Sequence, residues 1–434
     1  MGDRKLIGPE VQADLQKAKA FIAGFSDYKK NRLALISSEN HSSKLVRASY
    51  ALGLGDQYCS RLPHKRALRG ELTFSHVAPL DDLNEMARNL TLELFRAADC
   101  DIRLLSGLSG LNVLLFSLLE DRDVLFRMSD QHGGHLSTPH ISTRLNIDRR
   151  DMLLGADYRL DLDHFAGLYR QAKPKVVFLD ASYVLFPYPV AQIRDVVGPG
   201  TLVIYDASHI IALIASGMFQ DPFEEGADII HATTHKSLWG PQKSMILFKH
   251  QDACAEMVHK NVEMLVSNTQ LHHIFALYLA LLEFKHFGGA YARDLAGNAR
   301  RFAEQLDARG LTVAAKEQGF TQSNQVWLEL GTKEEAIEQF QKLDQLCIST
   351  NLFTVPRGRW GLRLGMNGLT RLGADPSCLD ELARIFADLF LDRKPLATLA
   401  AEARALRESL GEPKYSFDDS PEGRELIRML VALE

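Results

Sequence analysis

Between residues 85 and 290 short apolar runs alternate with stretches of helical spacing, and that alternation leaves few folds open to the chain. Apolar runs without polar alternation are covered on both faces, as parallel strands are when helices pack on either side of a sheet. Strands are expected at 101–105, 124–128, 175–179, 202–205, 228–232 and 244–248. Most of them end in small or polar residues: Ser106-Gly107, Ser129-Asp130, Asp180-Ala181-Ser182, Asp206-Ala207-Ser208-His209 and Thr233-Thr234-His235-Lys236. Ligands of open α/β sheets bind beyond the carboxyl ends of the strands, so five such clusters imply one shared site.

The flanks differ from this pattern. Residues 10–25 have the spacing of an amphipathic helix, within an N-terminal arm expected to cover 1–50. A large ligand-binding domain over 51–290 and a smaller α+β domain over 291–434 follow. The small domain is read as helices near 293–309, 333–345, 377–392, 396–410 and 421–433, with strands at 325–330 and 361–364.

A net charge of −5 over 434 residues offers no basic field for nucleic acid or an anionic membrane surface, so a small ligand is expected. No stretch of about 18 residues is free of polar breaks, as a membrane span would require. Met1-Gly2-Asp3-Arg4-Lys5 is not followed by the apolar run of a secretory signal, and Leu6 stands where myristoylation needs Ser or Thr. The five cysteines are scattered without a C-x-x-C pair, which suits a reducing, cytoplasmic compartment.

The chemistry concentrates in Asp206-Ala207-Ser208-His209 and, thirty positions after Asp206, in Lys236 at the end of Thr233-Thr234-His235-Lys236. An acid at one strand end and a lysine at the next are what pyridoxal 5'-phosphate requires. The carboxylate keeps the pyridine nitrogen protonated, and the amine forms an imine. Burial at a strand end lowers the lysine pKa and makes it a better nucleophile. Ser106-Gly107-Leu108-Ser109-Gly110 lies between a strand and the apolar helix expected after it, so its amides and hydroxyls can hold a phosphate.

The run from Val203 to Leu247 resembles the cofactor segment of serine hydroxymethyltransferases, with Asp-x-x-His followed by Thr-Thr-His-Lys-x-x-x-Gly-Pro. The resemblance extends in family order through Leu35-Ile36-Ser37-Ser38-Glu39-Asn40, the Ser106–Gly110 turn, His132-Gly133-Gly134-His135, Gly361-Leu362-Arg363-Leu364-Gly365 and Thr370-Arg371. It implies an α/β fold of type I among pyridoxal-phosphate transferases, with a mostly parallel seven-stranded sheet and a smaller α+β C-terminal domain. It also implies that Lys236 is the imine-forming lysine, that Asp206 meets the pyridine nitrogen and that His132 stacks on the ring. His209 and Ser182 would lie against the cofactor and its 3′-oxygen, with Ser106, Gly107, Ser109, Thr233 and His235 around it. Arg363 would bind the amino-acid carboxylate, flanked by Ser38 and Tyr58. Tyr58 would come from the neighbouring subunit, making the protein a homodimer with shared sites.

The chain departs from the family where folate is handled. The catalytic glutamate is replaced by Ser60, and the loop's tyrosine pair by Ala67 and Leu68. Phe353 replaces the asparagine that contacts the pterin ahead of Thr354-Val355-Pro356. This combination is similar to L-threonine transaldolases, as are the stretches Gly319 to Gln325 and Tyr415-Ser416-Phe417-Asp418. The expected activity is transfer of the glycyl unit of threonine to an acceptor aldehyde. Folate-dependent hydroxymethyl transfer and an oxygen-using oxidase or decarboxylase on the same scaffold remain alternatives. The proton carrier for the β-hydroxyl stays open between His132 and a water. The basic residues Arg61, His64, Lys65, Arg66 and Arg69 are read as a solvated loop.

Overall fold

Seven strands form the central sheet: β1 (Asp99–Asp101), β2 (Val124–Met128), β3 (Asp148–Met152), β4 (Val176–Leu179), β5 (Leu202–Asp206), β6 (Ile229–Thr233) and β7 (Ser244–Phe248). Their order is β1-β7-β6-β5-β4-β2-β3. All neighbours run parallel except β7, which is antiparallel to both β6 and β1. The computed structural model describes residues 9–59, 78–356 and 358–432. The loop residues Ser60 to Arg69 singled out above lie outside them.

Side chains alternate across a strand, so each face of this sheet has its own core. Leu125, Val176, Phe178, Ile204 and Ile229 pack with Leu111, Leu114 and Val258 on one face. Phe126, Val177, Leu179, Val203 and Ile230 pack with Ile274, Leu277 and Leu281 on the other. Helices Gly107–Leu118 (α2) and Ala253–Leu265 (α3) supply the first layer, and the 38-residue helix Leu271–Ala308 (α4) crosses the second. Ahead of them, helix Pro9–Asn31 (α1) extends beyond the expected 10–25.

Three expectations change. β3 was not foreseen because Asp148-Arg149-Arg150-Asp151 is polar, and an edge strand with only Met152 buried needs no apolar run. The first strand occupies 99–101, and the buried residues 102–104 lead to α2 without ladder pairing. The boundary placed between 290 and 291 falls inside α4, whose unbroken hydrogen bonding joins the large sheet to the C-terminal region.

That region holds β8 (Gln325–Gly331), β9 (Asn351–Val355) and β10 (Arg359–Gly365) in the antiparallel order β9-β10-β8, β9 being unforeseen. Its helices begin on side-chain caps. Thr332 and Glu335 form a reciprocal capping box, and Asp375 caps a helix opened by Pro376. Leu33–Ala34 pairs in parallel with Ile348–Ser349, tying the segment after α1 to this region. Among the described residues no helix is long and apolar enough to cross a membrane.

Candidate active site

The carboxyl ends of β4, β5 and β6 and the start of α2 enclose a cavity of about 200 Å³, lined among others by Gly107, His135, Ser182, Asp206, His209 and Lys236. Thr233 and His235 also line it. Four of the five strand-end clusters therefore meet, as their shared polarity implied.

Lys236 points its Nζ to 3.3 Å from His209 Nε2. Burial lowers its pKa to about 8, with Arg363 acting in the same direction and Asp206 opposing. Burial likewise holds His209 well below its usual value, so its ring is neutral beside the amine. Asn40 fixes the lysine backbone, donating from Nδ2 to Lys236 O at 2.8 Å. A measurable consequence follows for the apoprotein. Only the free amine attacks an aldehyde, so the rate of covalent cofactor attachment should rise through pH about 8, not near the ordinary lysine value. Stopped-flow absorbance across pH would read this, and a midpoint near 10 would contradict it.

Asp206 is 8% exposed. Its Oδ1 accepts the Ser208 N–H at 2.8 Å and its Oδ2 faces His231 Nδ1 at 3.1 Å. Burial alone would raise its pKa, but His231, Lys236 and Ser208 outweigh it and hold the carboxylate well below the usual range.

Ser106 caps α2, its Oγ accepting the Ser109 N–H at 3.1 Å, while Ser109 Oγ accepts from Leu105 N at 3.3 Å. Both hydroxyls are thus engaged in the turn, and neither residue lines the cavity; Gly107 and Leu108 do. Amides of a first helical turn have no intrahelical acceptor and suit an anion. The turn also requires Gly110, where a Cβ would lie 2.5 Å from His231 Nε2 and 2.8 Å from Ser244 Oγ. Gly110→Ala should cost about 1–3 kcal/mol and loosen cofactor binding. Thermal melts with and without cofactor would show this, and an unchanged melt would refute it.

The histidine pair is where sequence and structure part. His132 does not line the cavity; its Nδ1 accepts the Leu154 N–H at 2.9 Å, which turns the ring away. His135 lines it instead. The short turn Asp130–His132 ends early, and Gly133 and Gly134 fold the chain back so tightly that a Cβ on Gly134 would sit 2.0 Å from Met128 O. The His135 N–H then donates to Asp180 O at 3.0 Å, so the second histidine of the motif faces the ligand space. His231 and Ser208 are further residues at the cavity that had no assigned role.

Arg363, on β10, stands beside the cavity without lining it. Its Nη1 donates to Ser182 O at 3.0 Å, its Nη2 to Asn351 Oδ1 at 3.4 Å, and its guanidinium lies 5.1 Å from the Tyr183 ring centroid. Nε has no hydrogen-bond partner among the described residues. Tyr183 in turn packs edge-on to Phe353 at 5.0 Å, and Phe353 to Trp327 at 5.6 Å. Ser38 lines an adjoining cavity of about 540 Å³ that shares His235. Tyr58 is exposed, donates to Ser267 Oγ at 3.3 Å and lines neither cavity.

Pyridoxal phosphate fits these residues. A buried amine with lowered pKa, a buried ionised carboxylate on the adjoining strand and a helix start with no Cβ in the way surround one small cavity.

The serine hydroxymethyltransferase family model matches residues 11–386. The serine hydroxymethyltransferase of Methanopyrus kandleri is 33% identical over 436 residues, covering 96% of this chain and 98% of its own. That of Korarchaeum cryptofilum is 31% identical over 428 residues, with 93% and 97% covered. Among solved structures, the L-threonine transaldolase from Pseudomonas fluorescens in its internal aldimine state superposes with a TM-score of 0.91 at 26% identity, covering 97% of this chain and 98% of its own.

Proposed function

The chain belongs to the serine hydroxymethyltransferase family, and from that premise we propose that it is an L-threonine transaldolase, cleaving threonine to acetaldehyde and passing the glycyl unit to a second aldehyde. The family and the solved neighbour make it a pyridoxal-phosphate enzyme of aldol type. The observation that favours transaldolase over folate chemistry is Phe353. Where the resemblance leads one to expect a pterin-binding amide, an aromatic ring is buried against Tyr183 and Trp327. The phenyl ring neither donates nor accepts a hydrogen bond, so the contact expected of that amide is lost at residue 353.

Bound pyridoxal phosphate supplies the electron sink for the electrons left at Cα when the Cα–Cβ bond breaks. The protein's own residues do the rest. Lys236 is the attachment point and, near its pKa of about 8, can accept or return a proton at neutral pH. Asp206 would meet the ring nitrogen as an anion. His135, in place of His132, would offer its imidazole face for stacking. Ser182 and His209 would border the ring, with Thr233 and His235 beside them. Gly107 and Leu108 present amides to the phosphate at the turn built by Ser106 and Ser109. The forked guanidinium of Arg363 suits a carboxylate, and its position on a paired strand fixes the amino acid's orientation.

Ser38 and Tyr58 complete the carboxylate side, Tyr58 from the partner in a cytoplasmic homodimer. Its 48% exposure within one protomer and the five free cysteines support that reading.

The test is direct. Holoenzyme given threonine and an aromatic aldehyde, without tetrahydrofolate, should release acetaldehyde and form a β-hydroxy-α-amino acid detectable by chromatography. If neither appears and serine cleavage demands tetrahydrofolate, the enzyme is a hydroxymethyltransferase.

A further inference from the structure

His231 sits in the middle of a buried apolar run, where a histidine reads as core. The sheet register gives it another task. β5 and β6 pair Asp206 directly with His231, and the imidazole Nδ1 lies 3.1 Å from Asp206 Oδ2. The ring is 2% exposed, and its other nitrogen, Nε2, has no hydrogen-bond partner among the described residues. Nothing stands between that nitrogen and the α2 backbone because residue 110 is glycine.

We propose that His231 is a positioning residue that donates one hydrogen bond from a neutral ring to Asp206, so that the proton shared by Asp206 and the cofactor stays on the ring nitrogen. This rests on the assignment of Asp206 to that nitrogen and holds for any acceptor aldehyde.

Nε2 decides the charge of the ring. An imidazolium would place a second N–H in a dry site with no acceptor, adding an unsatisfied donor to a buried charge. The neutral ring with hydrogen on Nδ1 leaves only a lone pair unmatched and still serves Oδ2. Asp206 therefore gains a donor without gaining a neutralising cation, and keeps its negative charge for the pyridinium. Each N–H it accepts also lowers its basicity. Ser208 on Oδ1 and His231 on Oδ2 provide one donor to each oxygen. A buried carboxylate lacking them would compete with pyridine for the proton, and a neutral pyridine is a poorer electron sink. Lys236, His135, Asp180, Tyr188 and Tyr205 are other titratable groups that interact electrostatically with Asp206, from the β6 end, the glycine turn, the β4 end, the loop after it and β5 itself.

The test is nuclear magnetic resonance of holoenzyme loaded with ring-nitrogen-labelled pyridoxal phosphate. His231→Phe should move the ring-nitrogen signal to its unprotonated position and weaken cofactor affinity by about tenfold or more. His231→Gln, whose amide can still donate, should retain the parental signal. Should His231→Phe fail to fold, His231→Ala gives the same reading, with added imidazole restoring protonation. A protonated ring in the Phe or Ala variant, or loss of protonation in a folded Gln variant, overturns the proposal. Asp206→Asn separates the premise: a ring still protonated there removes Asp206 from the nitrogen altogether, whereas a loss there with none in the His231 variants leaves Asp206 in place and discards His231.

Discussion

Lys236→Ala is expected to abolish covalent cofactor attachment and to reduce turnover at least about 10³-fold, since one change removes both a covalent link and an acid–base group. Among the described residues lining the cavity, Lys236 is the one amine. Lys243, the nearest lysine in the chain after Lys236, is fully buried and donates from Nζ to Thr269 O at 3.1 Å. Lys236→Arg discriminates charge from chemistry: it keeps a cation in the site, but a guanidinium stays protonated and does not form the imine. Borohydride reduction followed by mass spectrometry should find the cofactor fixed to Lys236 in the parent and to no residue in either variant. Full activity in the alanine variant, or a cofactor reduced onto another lysine, would remove Lys236 from its role.

Lys236 and Asp206 were legible because their chemistry needs particular residue types and because polar residues interrupt apolar runs at strand ends. Order along the chain then sufficed to place them on neighbouring strands. The choice between His132 and His135 was different. Both stand in one short motif, and only the path of the backbone, pressed against Met128 O at Gly134, decides which imidazole faces the cavity. β3 was hidden for another reason. An edge strand of two acids flanking two arginines is held by its ladder to β2, and ladder pairing leaves no mark on side-chain polarity. His231 carried no signal at all, since its meaning depends on the cross-strand register with Asp206. The boundary expected at 290–291 falls within α4, because helical spacing continues through residue 290 although the composition changes there.

The largest stability effect is expected at Arg371, behind the site. Its guanidinium is fully buried: Nη2 donates to Glu283 Oε2 at 2.9 Å, Nε to His41 O at 3.1 Å and Nη1 to Tyr415 O at 2.7 Å. It also lies 3.9 Å from the ring centroid of Trp239, three residues beyond Lys236. One side chain thus joins the N-terminal segment, the lysine loop, α4 and the C-terminal segment. Burial pulls the Arg371 pKa down and pushes that of Glu283 up, so desolvation exceeds what their attraction returns. In such a pair the two partners together contribute little, while loss of one leaves a buried charge unopposed. Arg371→Leu should therefore cost about 3–5 kcal/mol, read as a lowered urea midpoint. Removing the stranded charge as well, in Arg371→Leu with Glu283→Met, should recover part of that loss. It should not recover all, because His41 O, Tyr415 O and the Trp239 N–H, which donates to Glu283 at 3.0 Å, would still lack partners. A double variant no more stable than Arg371→Leu would show that those neutral groups, not the stranded carboxylate, dominate the cost.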